Sequence, residues 1–203
     1  MEKRRFNIVR KGEFGYISFM KKLNLVISLV LFLFAGGIFV SGLFLFESKA
    51  NICTIIGALF VIPAARYMTV WILFMPHKSV STEQFEKTYG LMKGGNILYC
   101  DVLITSPEKA YFLPFIAITG DKVIALMAGK DKLYKVQDYF GGFIRRRGFD
   151  DFKVTVTDDE AKFQSLLRAA DSAAEIRFAD DEEREAFDRE RIELCGAIDS
   201  IMP

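Results

Sequence analysis

The chain has 203 residues and a formal net charge of +1, and 51% of its residues are hydrophobic. A charge so close to zero excludes a general attraction to nucleic acid or acidic partners, so any such attraction must come from a local patch. Cys53, Cys100 and Cys195 lie in three segments without paired spacing, which excludes a disulfide framework or a zinc knuckle and favours a reducing compartment. This length leaves room for one modest globular domain beside a membrane segment.

Two long apolar segments, Leu23–Phe46 and Ile52–Phe74, occupy the first third of the chain. The first runs for 24 residues without a charged side chain, and a helix needs about 20 residues to cross a bilayer core. It is longer than the core of a signal peptide and a second run follows at once, so we expect it to be retained. Only residues 47–51 separate the two, which predicts an antiparallel transmembrane hairpin. The small residues expected to let its helices approach closely are Gly36, Gly37, Ser41, Gly42, Gly57 and Ala58.

The distribution of basic residues predicts the orientation of this hairpin. The leader, residues 1–22, contains seven Lys and Arg residues, whereas Lys49 is the only one between the two segments. The positive-inside rule therefore places the amino terminus in the cytoplasm. Because two spans return the chain to the same side, we expect a multi-pass protein of the plasma (inner) membrane. Its hairpin covers 23–76, its cytoplasmic domain covers 77–203, and both termini are cytoplasmic.

Arg66 is an unusual residue for the second apolar segment, because it lies about 12 Å from the predicted inner end of that helix. In one interpretation Arg66 faces a partner, an anionic lipid or a polar cavity, since an uncompensated charge within a membrane is costly. In the other, which we favour, its long side chain reaches the cytoplasmic headgroups. Tyr67, Trp71 and His77 then form an ordinary interfacial belt and contact lipid or a partner.

The domain after the hairpin alternates between helical and strand-like patterns. Ser81 with Gln84, and Thr157 with Glu160, predict capping boxes at two helix starts. Gly120-Asp121 between two apolar runs predicts a β-hairpin. The predicted elements are, in order, a helix from Ser81 to Gly94, strands at 96–106, 110–119 and 122–127, a helix at 133–147, a strand at 152–156, a helix from Thr157, a short strand at 174–178 and a helix from Asp180.

This order of elements predicts an α/β fold. Strands joined by hairpins, followed by a crossover helix and a further strand, imply a mixed β-sheet flanked by helices. Pro114 cannot donate a hydrogen bond within a sheet, so it predicts that its strand lies at an edge or contains a bulge. Arg145–Arg147 followed by Gly148 predict the end of the crossover helix, where basic side chains favour the helix dipole.

A basic cluster flanks the crossover helix. We interpret it first as a solvated helix face with a charged cap. As a functional surface it would meet either the anionic inner leaflet or nucleic acid phosphates, and tethering to the membrane favours the lipid. Its members are Lys130, Lys132, Lys135, Arg145, Arg146 and Arg147.

The order helix, three strands, helix and strand across Thr82–Ala170 resembles the core of the restriction-endonuclease-like nucleases. The resemblance implies an acid on one strand and an acid-x-Lys triplet on the next, which together hold a divalent metal and polarise a phosphate. Asp101 is the candidate for the first acid. The strands that should supply the triplet read Phe115-Ile-Ala-Ile118 and Val123-Ile-Ala-Leu126, and Asp151-Phe-Lys153 has the triplet form only after the crossover helix. The resemblance therefore implies a degenerate site and a binder rather than a nuclease.

We expect a non-catalytic integral membrane adaptor or scaffold, which presents its α/β domain at the inner membrane face and needs no cofactor and no metal. Its expected partners are the lipid bilayer and a protein partner or a second copy of the chain, contacted through the last helix. The alternative is a membrane-tethered protein that binds nucleic acid or resembles a nuclease, using Asp101 and the basic cluster. His77 is the single histidine, and no phosphate-binding glycine motif occurs, which argues against the common nucleophile and nucleotide sites.

Overall fold

The computed structural model describes residues 9–45, 52–92, 96–129, 132–174 and 181–203. The described residues form two compact units. One covers residues 17–78; the other, which we call the globular unit, covers residues 79–203 together with the leader residues up to Tyr16. The elements are α1 (Tyr16–Leu45), α2 (Ile52–Phe74), α3 (Thr82–Tyr89), β1 (Ile97–Thr105), β2 (Ala110–Thr119), β3 (Lys122–Ala128), α4 (Leu133–Arg146), β4 (Lys153–Thr157), α5 (Glu160–Ala174) and α6 (Asp181–Ile201). The predicted α/β class is confirmed. Of the strand predicted at 174–178, Ala174 ends α5 and the rest lies outside the described residues.

The helices α1 and α2 form an antiparallel pair along a seam of small side chains. Ser28 Oγ donates to the backbone oxygen of Ala64 at 3.0 Å. The backbone oxygen of Ala35 lies only 3.1 Å from the position that a Cβ on Gly57 would take. These two contacts are seven residues apart on each helix, and seven residues make about two helical turns, so the seam stays on one face of each helix.

The seam uses only some of the predicted small residues. Gly57 lies in it, but Gly36 and Gly37 have open space where a side chain would be, so the prediction for them is wrong. Ser41 and Ala58 are exposed. The pattern that marks the seam is the seven-residue spacing of buried small residues in α1, namely Ser28, Ala35 and Gly42.

The four strands form one mixed sheet in the order β1-β2-β3-β4. The first three strands are antiparallel neighbours, and β4 pairs with β3 in parallel after the chain has crossed over through α4. Thr119 pairs with Lys122, so only two residues join β2 to β3. The first of them, Gly120, has a φ of 56°, which suits a type II′ turn. The predicted hairpin at Gly120-Asp121 is confirmed.

Pro114 lies in β2, which is a central strand and not an edge strand. The prediction of an edge position is therefore wrong. The register between β2 and β3 shifts between Phe112 and Phe115, so the alternative prediction of a bulge is confirmed. The bulge accommodates a residue that has no N–H to donate within the sheet.

Both faces of the sheet are covered by helices. On one face, Phe163 and Leu167 of α5 pack with Cys100, Phe115 and Ile124 from three neighbouring strands. The opposite face carries α6, because Tyr99, which alternates with Cys100 in β1, contacts Cys195 and Asp199. The helix α4 lies beside α6, where Arg147 at its end bonds to Ser200. The buried apolar residues of these two helices are Val136, Phe140 and Ile144 of α4, and Leu194 and Ile198 of α6. A sheet covered on both faces explains why its strands are almost continuously apolar.

The helix ends agree with the sequence pattern at two of three sites. Ser81 and Gln84 form the predicted capping box at α3. Gly148, with a φ of 92°, follows α4 and donates its N–H to the oxygen of Arg145. At α5 the prediction is wrong: Asp159 caps the helix by accepting from the N–H of Ala161 at 2.8 Å, and Thr157 Oγ1 instead accepts from the N–H of Asp159.

The outer edge of β4 is closed by a side chain. Gln137 of α4 donates to the backbone oxygen of Val154 at 2.7 Å and accepts from the N–H of Val156 at 2.6 Å. One amide group therefore satisfies two edge groups, as the N–H and C=O of one residue in a further parallel strand would do. An open edge is a template for pairing with another chain, so this contact protects the sheet from association.

Gln137→Leu is expected to lower the free energy of unfolding by about 1–3 kcal/mol, because it leaves edge groups without their protein partners. We also expect more self-association through β4. Thermal unfolding and light scattering of the full chain in detergent measure both effects. Gln164→Leu is the matched control, since the side chain of Gln164 bonds to Glu160 within its own helix. Equal behaviour of the two variants would contradict the role of Gln137.

Candidate functional site

Asp101, the candidate acid, is fully buried in β1. Its Oδ1 accepts a hydrogen bond from the backbone N–H of Val80 at 2.8 Å. Its φ is 55°, in the left-handed region that Asp and Asn enter more readily than most residues with a side chain. The carboxylate therefore joins β1 to the segment that leads into α3.

The structure does not bring the acid-x-Lys triplet to Asp101. Asp151 is exposed just before β4, and Lys153 pairs with Asp121 at 3.4 Å. Because β1 and β4 are the two edges of a four-stranded sheet, they lie about 14 Å apart. Among the residues that the structure describes, no group of three or more His, Cys, Asp or Glu side chains could hold a metal ion.

The basic cluster is divided between the two ends of α4. This helix has 14 residues and is about 21 Å long. Lys132 lies at its N-terminus, whereas Arg145 and Arg146 are exposed at its C-terminus. Lys130 lies outside the described residues. A single partner would have to span the length of the helix to meet both groups.

Two members of the cluster have partners within the domain. Lys135 pairs with Glu108 at 3.5 Å. Arg147 donates to Ser200 Oγ at 3.2 Å, and its guanidinium lies 5.3 Å from the ring centre of Phe143. Arg147 thus connects α4 to α6, which is a structural role for part of the predicted surface.

A polar cleft of about 220 Å³ lies between α4 and β4. Gly141, Arg145, Asp138 and Asp150 are among the residues that line it. One guanidinium and two carboxylates give it mixed charge. This lining does not select one class of ligand.

The helices α1 and α2 are long and apolar enough to cross a membrane. Only 17% and 11% of their most apolar stretches are buried, whereas a core helix of a soluble protein is mostly buried. Apolar side chains therefore surround both helices outside the seam. Examples are Val30, Leu33, Phe44, Ile55, Leu59 and Ile62.

Arg66 is exposed on α2, away from the seam with α1. Both interpretations of Arg66 require this exposure. Tyr67 and Trp71 are half-buried near the end of the same helix. Beyond that end, Lys21 Nζ donates to the backbone oxygen of His77. Burial lowers the pKa of His77, and the charge of Lys21 lowers it further.

Leader residues pack onto the globular unit and extend its sheet edge. Gly12 accepts a hydrogen bond from the N–H of Cys100 in β1 at 2.7 Å. Lys11 Nζ donates to the backbone oxygens of Asp199 at 3.2 Å and Met202 at 2.8 Å. A cation at the C-terminal end of α6 also favours the helix dipole. The leader therefore connects β1 to the last helix.

Three ionisable side chains meet beneath this leader segment. Burial raises the pKa of Tyr99, and hydrogen bonding to Cys195 and the charge of Asp199 raise it further. Burial also raises the pKa of Cys195, and raises that of Asp199 against the opposing effect of Lys11. A thiol that is hard to ionise is a poor nucleophile, so the cluster is suited to hydrogen bonding rather than to covalent catalysis.

Cys100 has the same character. Burial raises its pKa to about 12, with a further contribution from the charge of Asp101. Cys100 is buried and Cys195 is partly buried, and burial raises the pKa of both thiols.

Sequence reasoning did not find the contact between the leader and the globular unit. The basic residues of the leader indicate the orientation of the hairpin in the membrane. Nothing local indicates that residues 10–16 bond to a strand almost 90 residues later. The available signal is the pair Gly12 and Gly15, both with positive φ, which marks turns in an otherwise basic segment.

No protein-family model, no curated protein and no solved structure matches the chain.

Proposed function

We propose that the chain is a non-catalytic integral membrane adaptor that presents its α/β domain at the inner face of the plasma membrane. The observation that carries this proposal is the exposed apolar surface of α1 and α2. A surface of this extent is unfavourable in water, and a bilayer covers it. Both helices pair their backbone groups internally, which is a condition for lying in hydrocarbon.

In the proposed orientation α1 leaves the cytoplasm and α2 returns to it. The basic leader supports this direction by the positive-inside rule. The globular unit supports it as well, because its leader residues and its residues 79–203 form one compact body and must lie on the same side of the membrane. Two crossings satisfy this condition.

Accessibility of single cysteines tests the orientation. In a chain with the natural cysteines replaced, Lys49→Cys between the helices is expected to react with a membrane-impermeant maleimide in intact cells. Tyr134→Cys, at an exposed position of α4, should react only after the membrane is permeabilised. Reaction of both variants in intact cells, or of Tyr134→Cys alone, would contradict the proposed orientation.

The adaptor role requires a protein partner or a second copy of the chain. We propose the outward side of α6 as the contact, where the apolar Ile192 is exposed between the charged Arg189 and Glu193. Ile192→Asp is expected to reduce the partner or oligomer recovered from native membranes several-fold without changing thermal unfolding. A wild-type protein that is strictly monomeric and free of copurifying protein would contradict the adaptor role.

A further inference from the structure

Three aromatic rings from two separate segments lie side by side on the surface of the globular unit. The ring centres of Phe14 and Phe85 are 4.9 Å apart, and those of Phe85 and Tyr89 are 5.5 Å apart. Phe85 packs partly into the core, whereas Phe14 is 36% exposed and Tyr89 is 62% exposed. We call Phe14, Phe85 and Tyr89 the aromatic row. The central ring, Phe85, packs against the core, and the two exposed rings contact it on either side.

The aromatic row is close to the candidate membrane-spanning helices along the chain. Phe14 precedes the first residue of α1, Tyr16, by two residues, so their Cα atoms are at most about 7 Å apart. From Tyr16 to Leu23, where the uncharged stretch begins, the helix rises about 10 Å, and the headgroup layer accounts for about 5–8 Å of that distance. The covalent chain therefore holds Phe14 within about 12 Å of the headgroup layer whenever α1 crosses a bilayer.

The chemistry of the aromatic row suits this depth. Tyr combines an apolar ring with a hydroxyl and is enriched at membrane interfaces, and Phe supplies apolar surface of the kind that enters the boundary between headgroups and acyl chains. Charged residues of both signs flank the row: Arg10 and Lys78 are exposed, and so are Glu13, Glu83 and Glu86. The aromatic rings and their closeness to α1 along the chain, and not a net charge, therefore favour lipid contact.

We propose that the aromatic row is a lipid-contact surface, which contacts the phospholipid headgroups and the upper acyl chains. This inference rests on the proposed membrane insertion of α1 and α2. It assigns lipid contact to the row and not to the basic cluster of α4, whose two groups are about 20 Å apart and partly paired within the domain. A contact surface that lies close to the spans along the chain loses little freedom when it meets the membrane.

Tryptophan quenching by brominated lipid tests the proposal in the full chain. The protein is reconstituted into vesicles of phosphatidylcholine and phosphatidylglycerol in equal amounts, with bromine near the upper end of the acyl chains. Trp71, the single tryptophan, reports on α2 in the wild type. In a Trp71→Phe background, Tyr89→Trp places the probe in the aromatic row. Tyr134→Trp is the matched control, because Tyr134 is 57% exposed and lies beside the basic group at the start of α4.

The expected result is that Tyr89→Trp shows at least about half of the fractional quenching of Trp71, because interfacial rings lie at the headgroup level. Tyr134→Trp should show almost none. Quenching of Trp71 without quenching of Tyr89→Trp overturns the inference and leaves the proposed function intact. Equal quenching of both variants also overturns it, since it indicates unselective adhesion. Absence of quenching of Trp71 contradicts the membrane insertion on which both depend.

Discussion

Gly12→Ala is expected to destabilise the globular unit by about 2–4 kcal/mol, through backbone strain and steric overlap acting together. Gly12 has a φ of 77°, which costs an L side chain about 1–2 kcal/mol. A Cβ at this position would overlap Cδ1 of Tyr99. Tyr99 cannot move aside freely, because its hydroxyl is engaged with Cys195 and Asp199 of α6. The substitution therefore also disturbs the attachment of the last helix.

Two measurements follow this effect in the full chain. Thermal unfolding in detergent gives the loss of stability, and hydrogen exchange at Cys100 reports on its hydrogen bond to the oxygen of Gly12. Gly15→Ala is the matched control: Gly15 has a φ of 84°, but nothing lies within 4 Å of the added Cβ. The difference between the two variants isolates the overlap with Tyr99. If Gly12→Ala destabilises no more than Gly15→Ala, the leader does not pack as described.

Local patterns predicted those parts of the fold that depend on neighbouring residues. The capping box of Ser81 and Gln84 needs only four consecutive positions, and the turn at Gly120-Asp121 needs two. The bulge near Pro114 follows from a missing N–H, although the central place of its strand does not. The strand lies centrally because β1 covers its other side, and that pairing depends on the whole meander.

Contacts between distant segments were beyond the same reasoning. Arg191 lies four residues after Phe187 and three before Leu194, so helical spacing places it on the apolar side of α6, whereas its charge alone predicts exposure. It is nevertheless 8% exposed and donates to the backbone oxygen of Ile118 at 3.3 Å. Gln137 and Lys11 likewise find backbone partners on other elements. The sequence does not show which distant backbone group such a polar side chain will bond to.

In the candidate site, too, the sequence indicated a local feature but not the contacts between distant segments. The sequence singled out Asp101 as an acid within an apolar strand, and the structure gives a physical reason for an acid there. The resemblance to the nucleases rested on the order of elements, and that order is present from α3 to β4. An order of elements does not specify which side chains converge, so it could not indicate that Asp101 would meet Val80 and not a second carboxylate.

Asp101→Ala is expected to lower the free energy of unfolding by about 2–4 kcal/mol. The N–H of Val80 would lose its acceptor in a buried position, which costs about 1–3 kcal/mol. Alanine is also less tolerant than aspartate of a φ of 55°, which adds strain. Chemical denaturation of the full chain in detergent, followed by circular dichroism, measures the loss.

Asp101→Asn separates the structural role of Asp101 from a catalytic one. Asparagine keeps a side-chain oxygen for the N–H of Val80 and enters the left-handed region as readily as aspartate, so its unfolding should stay close to wild type. A metal-binding acid behaves in the opposite way, because an amide is a much weaker ligand than a carboxylate while the fold stays intact. A stable Asn variant that loses divalent-metal-dependent cleavage of DNA would establish the nuclease-like alternative. A stable Asn variant beside an unstable Ala variant, with no such activity in the wild type, would leave Asp101 as the residue that fastens β1 to α3.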